Sequence, residues 1–205
     1  MAMPRLSRDN DVRTPLNNGD QLSLPEFQRL SAAHPEVKKA ELIDGTVFIE
    51  TTVGSEHANI HKFIMTLIGV YEASHPGVQG LDNGSVLISG SEVQPDASLR
   101  LLRDGASTDT GIIVGPPELV VEVSASSYAY DSTLKRRLYE RSGVREYLLV
   151  QLYERRIEWW TLQDGAYRTI DPDEAGVFES VVFPGLRLDI EALWAGNMGR
   201  LLAAL

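Results

Sequence analysis

The chain has no cysteine. Disulfides, a cysteine nucleophile and thiolate metal centres are excluded at once. It has no apolar run approaching the roughly 18 residues that mark a membrane span, so no such segment is expected. The first twenty residues, MAMPRLSRDNDVRTPLNNGD, lack the apolar stretch of a secretory signal, and a cytoplasmic location is the default. No G-x-S-x-G elbow, no H-E-x-x-H helix and no G-x-x-x-x-G-K phosphate loop occurs. Positive charge is scarce, with 19 Lys and Arg against 29 Asp and Glu and a net charge of -10. Such a balance works against a broad phosphate-binding surface. A local one is still allowed, because Lys135 to Arg156 holds seven basic residues against three acidic ones. The alternative for that stretch is an ordinary solvated helix and hairpin.

What is present suits one soluble domain. The 205 residues are 43% hydrophobic and 23% charged, enough for a sizeable core. Residues 1–20 are polar and are expected to form a mobile tail; 21–205 show no repeat and no dividing linker. Gly115 to Val150 organises the rest. Leu119 to Val123 is an apolar, β-branched run of buried-strand type. Asp131 or Ser132 caps a helix that Gly143 stops, and Glu146 to Val150 is the next strand. A helix between two strands reads as a parallel crossover.

Around this unit the spacing predicts further elements. Ser23-Leu24-Pro25-Glu26 is a capping box opening a short helix. Lys39 to Ile43 and Thr46 to Thr51 form a hairpin about Asp44-Gly45. Ser55 to Ser74 carries an apolar stripe of Ile60, Phe63, Ile64, Leu67, Ile68 and Tyr71. Short strands follow at 78–81, 85–89 and 92–101, the last containing Pro95, which implies an edge, a bulge or a strand end. Residues 103–115 form a polar loop. A meander at 154–162, 166–170 and 177–183 precedes a helix from Asp189, resumed at Met198. The adjacent Trp159 and Trp160 point to opposite faces, which suggests a homodimer contact through the Glu154–Ile170 hairpin or the terminal helix.

The candidate chemistry lies in acids embedded in apolar strands: Glu41, Asp96 and Glu122. A buried carboxylate is costly unless paired or bound to a metal. Acids converging from neighbouring strands make an oxygen-rich cage for Mg²⁺ or Mn²⁺, which can polarise a phosphoryl oxygen and activate water. A nearby Lys then stabilises developing charge. His57 and His61, four apart on a helix, could hold zinc only with further ligands, and His57 reads better as a supporting group.

These residues resemble the Uma2-like endonucleases, a branch of the PD-(D/E)XK nuclease superfamily. The resemblance runs from about Ser23 to Trp194. Its carriers are Glu41-Leu-Ile-Asp-Gly45, His57, Pro95-Asp96, Gly115-Pro-Pro-Glu-Leu-Val-Val-Glu-Val-Ser124, Asp131 with Lys135, and Tyr139 with Gly143-Val-Arg-Glu-Tyr147, closed by Phe183-Pro-Gly-Leu186. It implies an α+β fold with a restriction-endonuclease-like α-β-β-β-α-β core, an extra N-terminal hairpin and a C-terminal β meander. It implies Asp96 and Glu122 as ligands of Mg²⁺ or Mn²⁺, Glu41 as a further ligand, and DNA as substrate. Ser124 stands where the superfamily pattern has Lys; in the Uma2-like group that Lys lies on the following helix, where Lys135 sits. Gln151 replaces an acid common in relatives. Two alternatives stay open: a non-catalytic module of the same fold, and a hydrolase of a smaller phosphate ester.

Overall fold

A computed structural model describes residues 14–50, 54–102 and 111–205. In chain order, α1 (Leu24–Ala33) precedes the hairpin β1 (Ala40–Ile43) and β2 (Thr46–Ile49), then α2 (Ser55–Ser74). Next come β3 (Val78–Asp82), β4 (Ser85–Ile88), β5 (Ser91–Val93), β6 (Ala97–Leu101), β7 (Ile112–Val114) and β8 (Leu119–Ser124). The crossover is α3 (Tyr128–Tyr130), a π-helical turn over Asp131–Lys135, and α4 (Arg136–Ser142). It leads to β9 (Glu146–Gln151), β10 (Arg156–Gln163), β11 (Ala166–Ile170), β12 (Val177–Glu179) and β13 (Arg187–Asp189). Two short helices, α5 (Ile190–Ala195) and α6 (Met198–Leu202), close the chain. No helix among the described residues is long and apolar enough to cross a membrane.

The central sheet has the order β11-β10-β9-β8-β6-β3. Within it β8 and β9 pair in parallel, as the helical crossover between them demands, while β6 lies antiparallel to β8. The path α2, β3, β6, β8, α4, β9 is the expected α-β-β-β-α-β core. Every residue of β8 is buried, because helices and a second sheet cover its two faces. On one side, Leu119, Val121 and Val123 pack with the apolar stripe of α2. On the other, Val120 packs with Leu138 and Tyr139 of α4 and with Ile43, Val86 and Val93 of a second, five-stranded sheet, β2-β1-β5-β4-β7.

The single strand expected over 92–101 is two strands in two sheets. β5 pairs with β1 and β4, β6 pairs with β3 and β8, and Gln94-Pro95-Asp96 carries the chain between them. Proline has no amide to give either ladder, so the break falls there. The switch leaves Asp96 at the seam between sheets. The hairpin turn is as expected, with Asp44 and Gly45 both at positive φ, the conformation of a tight two-residue turn.

Of the tail expected over residues 1–20, residues 1–13 lie outside the described ones. Leu16 is buried beside Phe27, Leu30, Leu42 and Val47, and the Gly19 amide donates to the Val47 carbonyl at 2.8 Å. Of the polar loop at 103–115, residues 103–110 likewise lie outside. Trp159 packs with Phe178 in one core, and Trp160 stacks on Tyr147 in the other. Both tryptophans are buried within the chain, so the exposed apolar area from which a dimer contact was expected is not at this hairpin.

The strand expected over 177–183 ends at Glu179, because Ser180 to Val182 turn onto Glu146. Glu146 opens β9 with no exposed surface. Its Oε1 accepts from the Val181 and Val182 amides at 2.6 and 2.9 Å, and its Oε2 from Ser180 Oγ and Trp159 Nε1 at 2.7 and 3.2 Å. Four donors depend on one carboxylate, and a buried unsatisfied donor costs about 1–3 kcal/mol. Glu146→Ala is therefore expected to lower unfolding free energy by on the order of 3 kcal/mol or more. Urea denaturation followed by tryptophan fluorescence measures it, and a loss under about 1 kcal/mol would refute the assignment.

Candidate active site

Side chains alternate along β8, so Val120, Glu122 and Ser124 share the face turned to the crossover helices. Glu122 Oε1 accepts from Lys135 Nζ at 2.9 Å and from the Tyr139 hydroxyl at 2.7 Å. Lys135 has no exposed surface, and its Nζ also lies 2.9 Å from Glu41 Oε2, 3.7 Å from Glu50 and 3.8 Å from Asp131. The turn holding Asp131 and Lys135 is π-helical, a rare geometry frequent at functional sites.

Asp96 sits just before β6, whose Ala97 pairs with Val121 of β8. That register brings the Asp96 carboxylate to the edge of Glu122. The Val123 amide donates to Asp96 Oδ2 at 2.8 Å, and His57 Nε2 reaches the same oxygen at 3.2 Å. Lys39 Nζ lies 2.9 Å from Asp96 Oδ1 and 3.0 Å from Glu50 Oε2. His61 Nε2 reaches the Asp96 backbone carbonyl at 2.9 Å. Both histidines of the helical pair thus brace Asp96, which agrees with the supporting role expected for His57.

The electrostatics follow from burial and neighbours. Burial alone would raise the Asp96 carboxyl, but the His57 hydrogen bond and the Lys39 charge hold it well below the usual carboxylate range. Glu122 goes the other way: burial pushes it up, Lys135 only partly opposes this, and Asp96 adds to it. Asp131 is also raised by burial against the pull of Lys135. Burial alone would lower Lys135, yet Glu122 and Glu41 hold it well above an ordinary lysine, so it stays an ammonium.

All four residues singled out in the sequence lie in this cluster, though they are not equivalent. Asp96 and Glu122 line a cavity of about 490 Å³, together with Glu50, Phe48, Tyr130 and Tyr153. Glu41 is not among its lining residues. Both its oxygens serve protein donors: Oε1 takes the Gln94 amide at 2.7 Å, and Oε2 takes Lys135 and the Tyr130 hydroxyl. Ser124 Oγ lies 3.2 Å from Ser127 Oγ, which donates to Asp131 at 2.6 Å. Gln151 bonds Glu158 and takes no part in the cluster.

The residues present fit a hard divalent ion held by two carboxylates. The donors are all oxygen, and Mg²⁺ commonly uses one or two carboxylates with waters completing its shell. Glu122 Oε2 takes no hydrogen bond among the described residues, and Asp96 Oδ1 takes only Lys39. A larger cage is not assembled: among the described residues no group of three or more His, Asp or Glu is arranged to hold a metal.

Sequence reasoning missed Lys39, Glu50 and Tyr139. A signal for two of them existed in the hairpin register. With Ala40 opposite Ile49, the next pair outward is Lys39 and Glu50, and Lys39 shares a face with Glu41.

Three comparisons bear on this arrangement. The family model described as "Uma2: Putative restriction endonuclease" matches residues 24–191. A solved structure, described as a putative nuclease belonging to DUF820 from Anabaena variabilis ATCC 29413, is similar in fold. It has a TM-score of 0.66 and 15% sequence identity, covering 85% of this chain and 98% of that one. None of the curated proteins matches the chain.

The buried ion cluster makes its own prediction. Removing one partner of a buried pair strands the other charge, at about 3–5 kcal/mol. Lys135→Met is expected to cost that much in a urea titration, whereas a solvated surface partner of Asp131 would cost under about 1 kcal/mol. Adding Glu41→Gln to Lys135→Met should restore part of the loss, since one stranded carboxylate is then neutral.

Proposed function

Because the chain belongs to the Uma2 family of putative restriction endonucleases, we propose that it is a metal-dependent endonuclease that hydrolyses DNA phosphodiester bonds with Mg²⁺ or Mn²⁺. One observation carries this reading: two carboxylates on neighbouring strands, Asp96 and Glu122, line one cavity with a buried ammonium 2.9 Å from Glu122. A bound Mg²⁺ or Mn²⁺ would polarise the scissile phosphoryl group and lower the pKa of a bound water.

In this reading Asp96 and Glu122 hold the ion. Glu41, expected as a further ligand, reaches it only by giving up Lys135 or the Gln94 amide, so its first role is to fix the lysine. Hydrolysis forms a bond from water oxygen to phosphorus and breaks the bond to the leaving sugar oxygen, which ends with the proton the water gives up. Lys135 is too firmly protonated to take the proton of that water. Its role is electrostatic and indirect: 2.9 Å from Glu122 Oε1, it fixes the carboxylate that would orient the water, and its charge acts across that carboxylate rather than by contact with the phosphate. His57, Lys39 and the Val123 amide keep Asp96 ionised and pointed.

A second reading, a non-catalytic binding module, is favoured by a different observation. Both oxygens of Asp96 and of Glu41 already have protein donors, and two lysines supply the positive charge that an ion would bring.

Mn²⁺ titration by calorimetry, paired with cleavage of both plasmid and a single-stranded oligonucleotide, separates the two. The nuclease reading expects metal binding and cleavage in the native chain, with both lost in Asp96→Asn and Glu122→Gln. Lys135→Met should keep Mn²⁺ binding but lose on the order of a hundredfold in rate, the usual cost of one donor to transition-state charge. Native protein that takes up Mn²⁺ and leaves both the plasmid and the single strand intact would establish the second reading instead.

A further inference from the structure

Tyr153 is an aromatic side chain with no assigned task. It is 71% exposed and lines the mouth of the Asp96–Glu122 cavity. No hydrogen bond or ring contact to it is described among the described residues. Its backbone is nevertheless held in place. The turn that carries it is pinned to the end of β8 by the Leu152 amide donating to the Ser124 carbonyl at 2.9 Å, and Leu152 is buried. Arg155, two residues on, is held over the Trp194 ring and donates to the Trp194 carbonyl. The cavity has further aromatic lining in Phe48 and Tyr130, whose rings lie 4.6 Å apart. Ile49, Ala125 and Leu152 add apolar surface.

Among the described residues the same cavity is lined by five carboxylates, Glu50, Glu56, Asp96, Glu122 and Asp131, and by no Lys or Arg. A sugar-phosphate backbone entering it meets no protein cation on the walls. The favourable contacts it offers a nucleotide are therefore of two kinds: the ion site for the phosphate, and aromatic faces for the base. A continuous duplex cannot use the second, because its base faces are stacked on one another. An unpaired nucleotide can, and base–aromatic stacking is the usual means of holding single strands without reading their sequence.

Resting on the nuclease reading above, we infer that the substrate is DNA unpaired at the cleaved bond, with a base of the reacting strand stacked on Tyr153.

The test is fluorescence anisotropy with one short labelled oligonucleotide, used as a single strand and as a blunt duplex, with Ca²⁺ replacing Mg²⁺ to slow hydrolysis. The single strand should bind at least about tenfold tighter than the duplex, a margin of the size one stacked base supplies. Tyr153→Ala should remove about that margin, and Tyr153→Trp should keep it. Mn²⁺ affinity of Tyr153→Ala, measured separately, should match the native chain and shows that the site is intact. Duplex binding as tight as single-strand binding overturns the inference, as does a Tyr153→Ala variant that holds single strands normally. If plasmid duplex is nevertheless cut, the nuclease reading survives that failure. If neither DNA is bound or cut, both fall.

Discussion

Lys135 carries a full positive charge with no exposed surface, and carboxylates from the central sheet, the hairpin and the crossover are arranged to make that tolerable. Moving an ammonium out of water costs several kcal/mol even after relaxation, and only close, well-aligned carboxylates return it. Here Glu122 comes from the central strand β8, Glu41 from the hairpin, and Asp131 from one turn earlier on the crossover. Three separate parts of the chain must dock correctly before the lysine is satisfied. The cluster therefore fixes how the second sheet and the crossover sit on the central one. Apolar packing of Val120, Leu138 and Tyr139 gives adhesion there, but it would tolerate small slips that the ion cluster does not.

Asp96 shows how topology and charge are coupled. The chain leaves one sheet and enters the other at Gln94-Pro95-Asp96, so neither ladder claims Asp96's side of the backbone. Its carboxylate turns to the Val123 amide, one residue past Glu122. The two acids are thus neighbours across a strand pair yet differ in bias. Asp96 is surrounded by donors and stays ionised, while Glu122 is held up by burial. Environments that drive neighbouring carboxyl groups apart are common where acids do chemistry rather than structure.

Much of this was legible in the sequence, for identifiable reasons. The buried strand, the existence of the crossover helix and the Gly143 stop follow from local rules of periodicity and capping, but the cap expected at Asp131 or Ser132 does not: helical backbone already starts at Tyr128, and both residues lie inside the π-helical turn. Glu122 stood out because an acid inside a β-branched run has to be paired with something. The partners were harder. That Lys135 would be wholly buried does not follow from its i+4 spacing to Asp131, which is what an exposed salt bridge also looks like. Lys39 and Glu50 enter through hairpin register, which the sequence does show. Whether that end of the hairpin faces Asp96 depends on sheet-to-sheet docking, which it does not. The same limit hid the division of residues 92–101 between two sheets, and Glu146, whose four donors include three from residues 180–182.

The charge count sets the terms on which this site can act. The ion cluster beside the cavity joins Glu41, Glu50, Asp96, Glu122 and Asp131, balanced among the described residues by Lys39 and Lys135. Both lysines are committed to holding those acids, so neither is free to receive a phosphate without loosening the cluster. Positive charge for an anionic substrate has to arrive from solution. An ion that binds between Asp96 and Glu122 relieves the same repulsion that the lysines relieve, and by linkage it adds to folding stability in proportion to its occupancy. Stability and substrate binding would then respond together to the same ion. The surplus of acid, which in the bare sequence argues against a phosphate-binding protein, would under the nuclease reading make a divalent ion and an aromatic face the means of holding a strand.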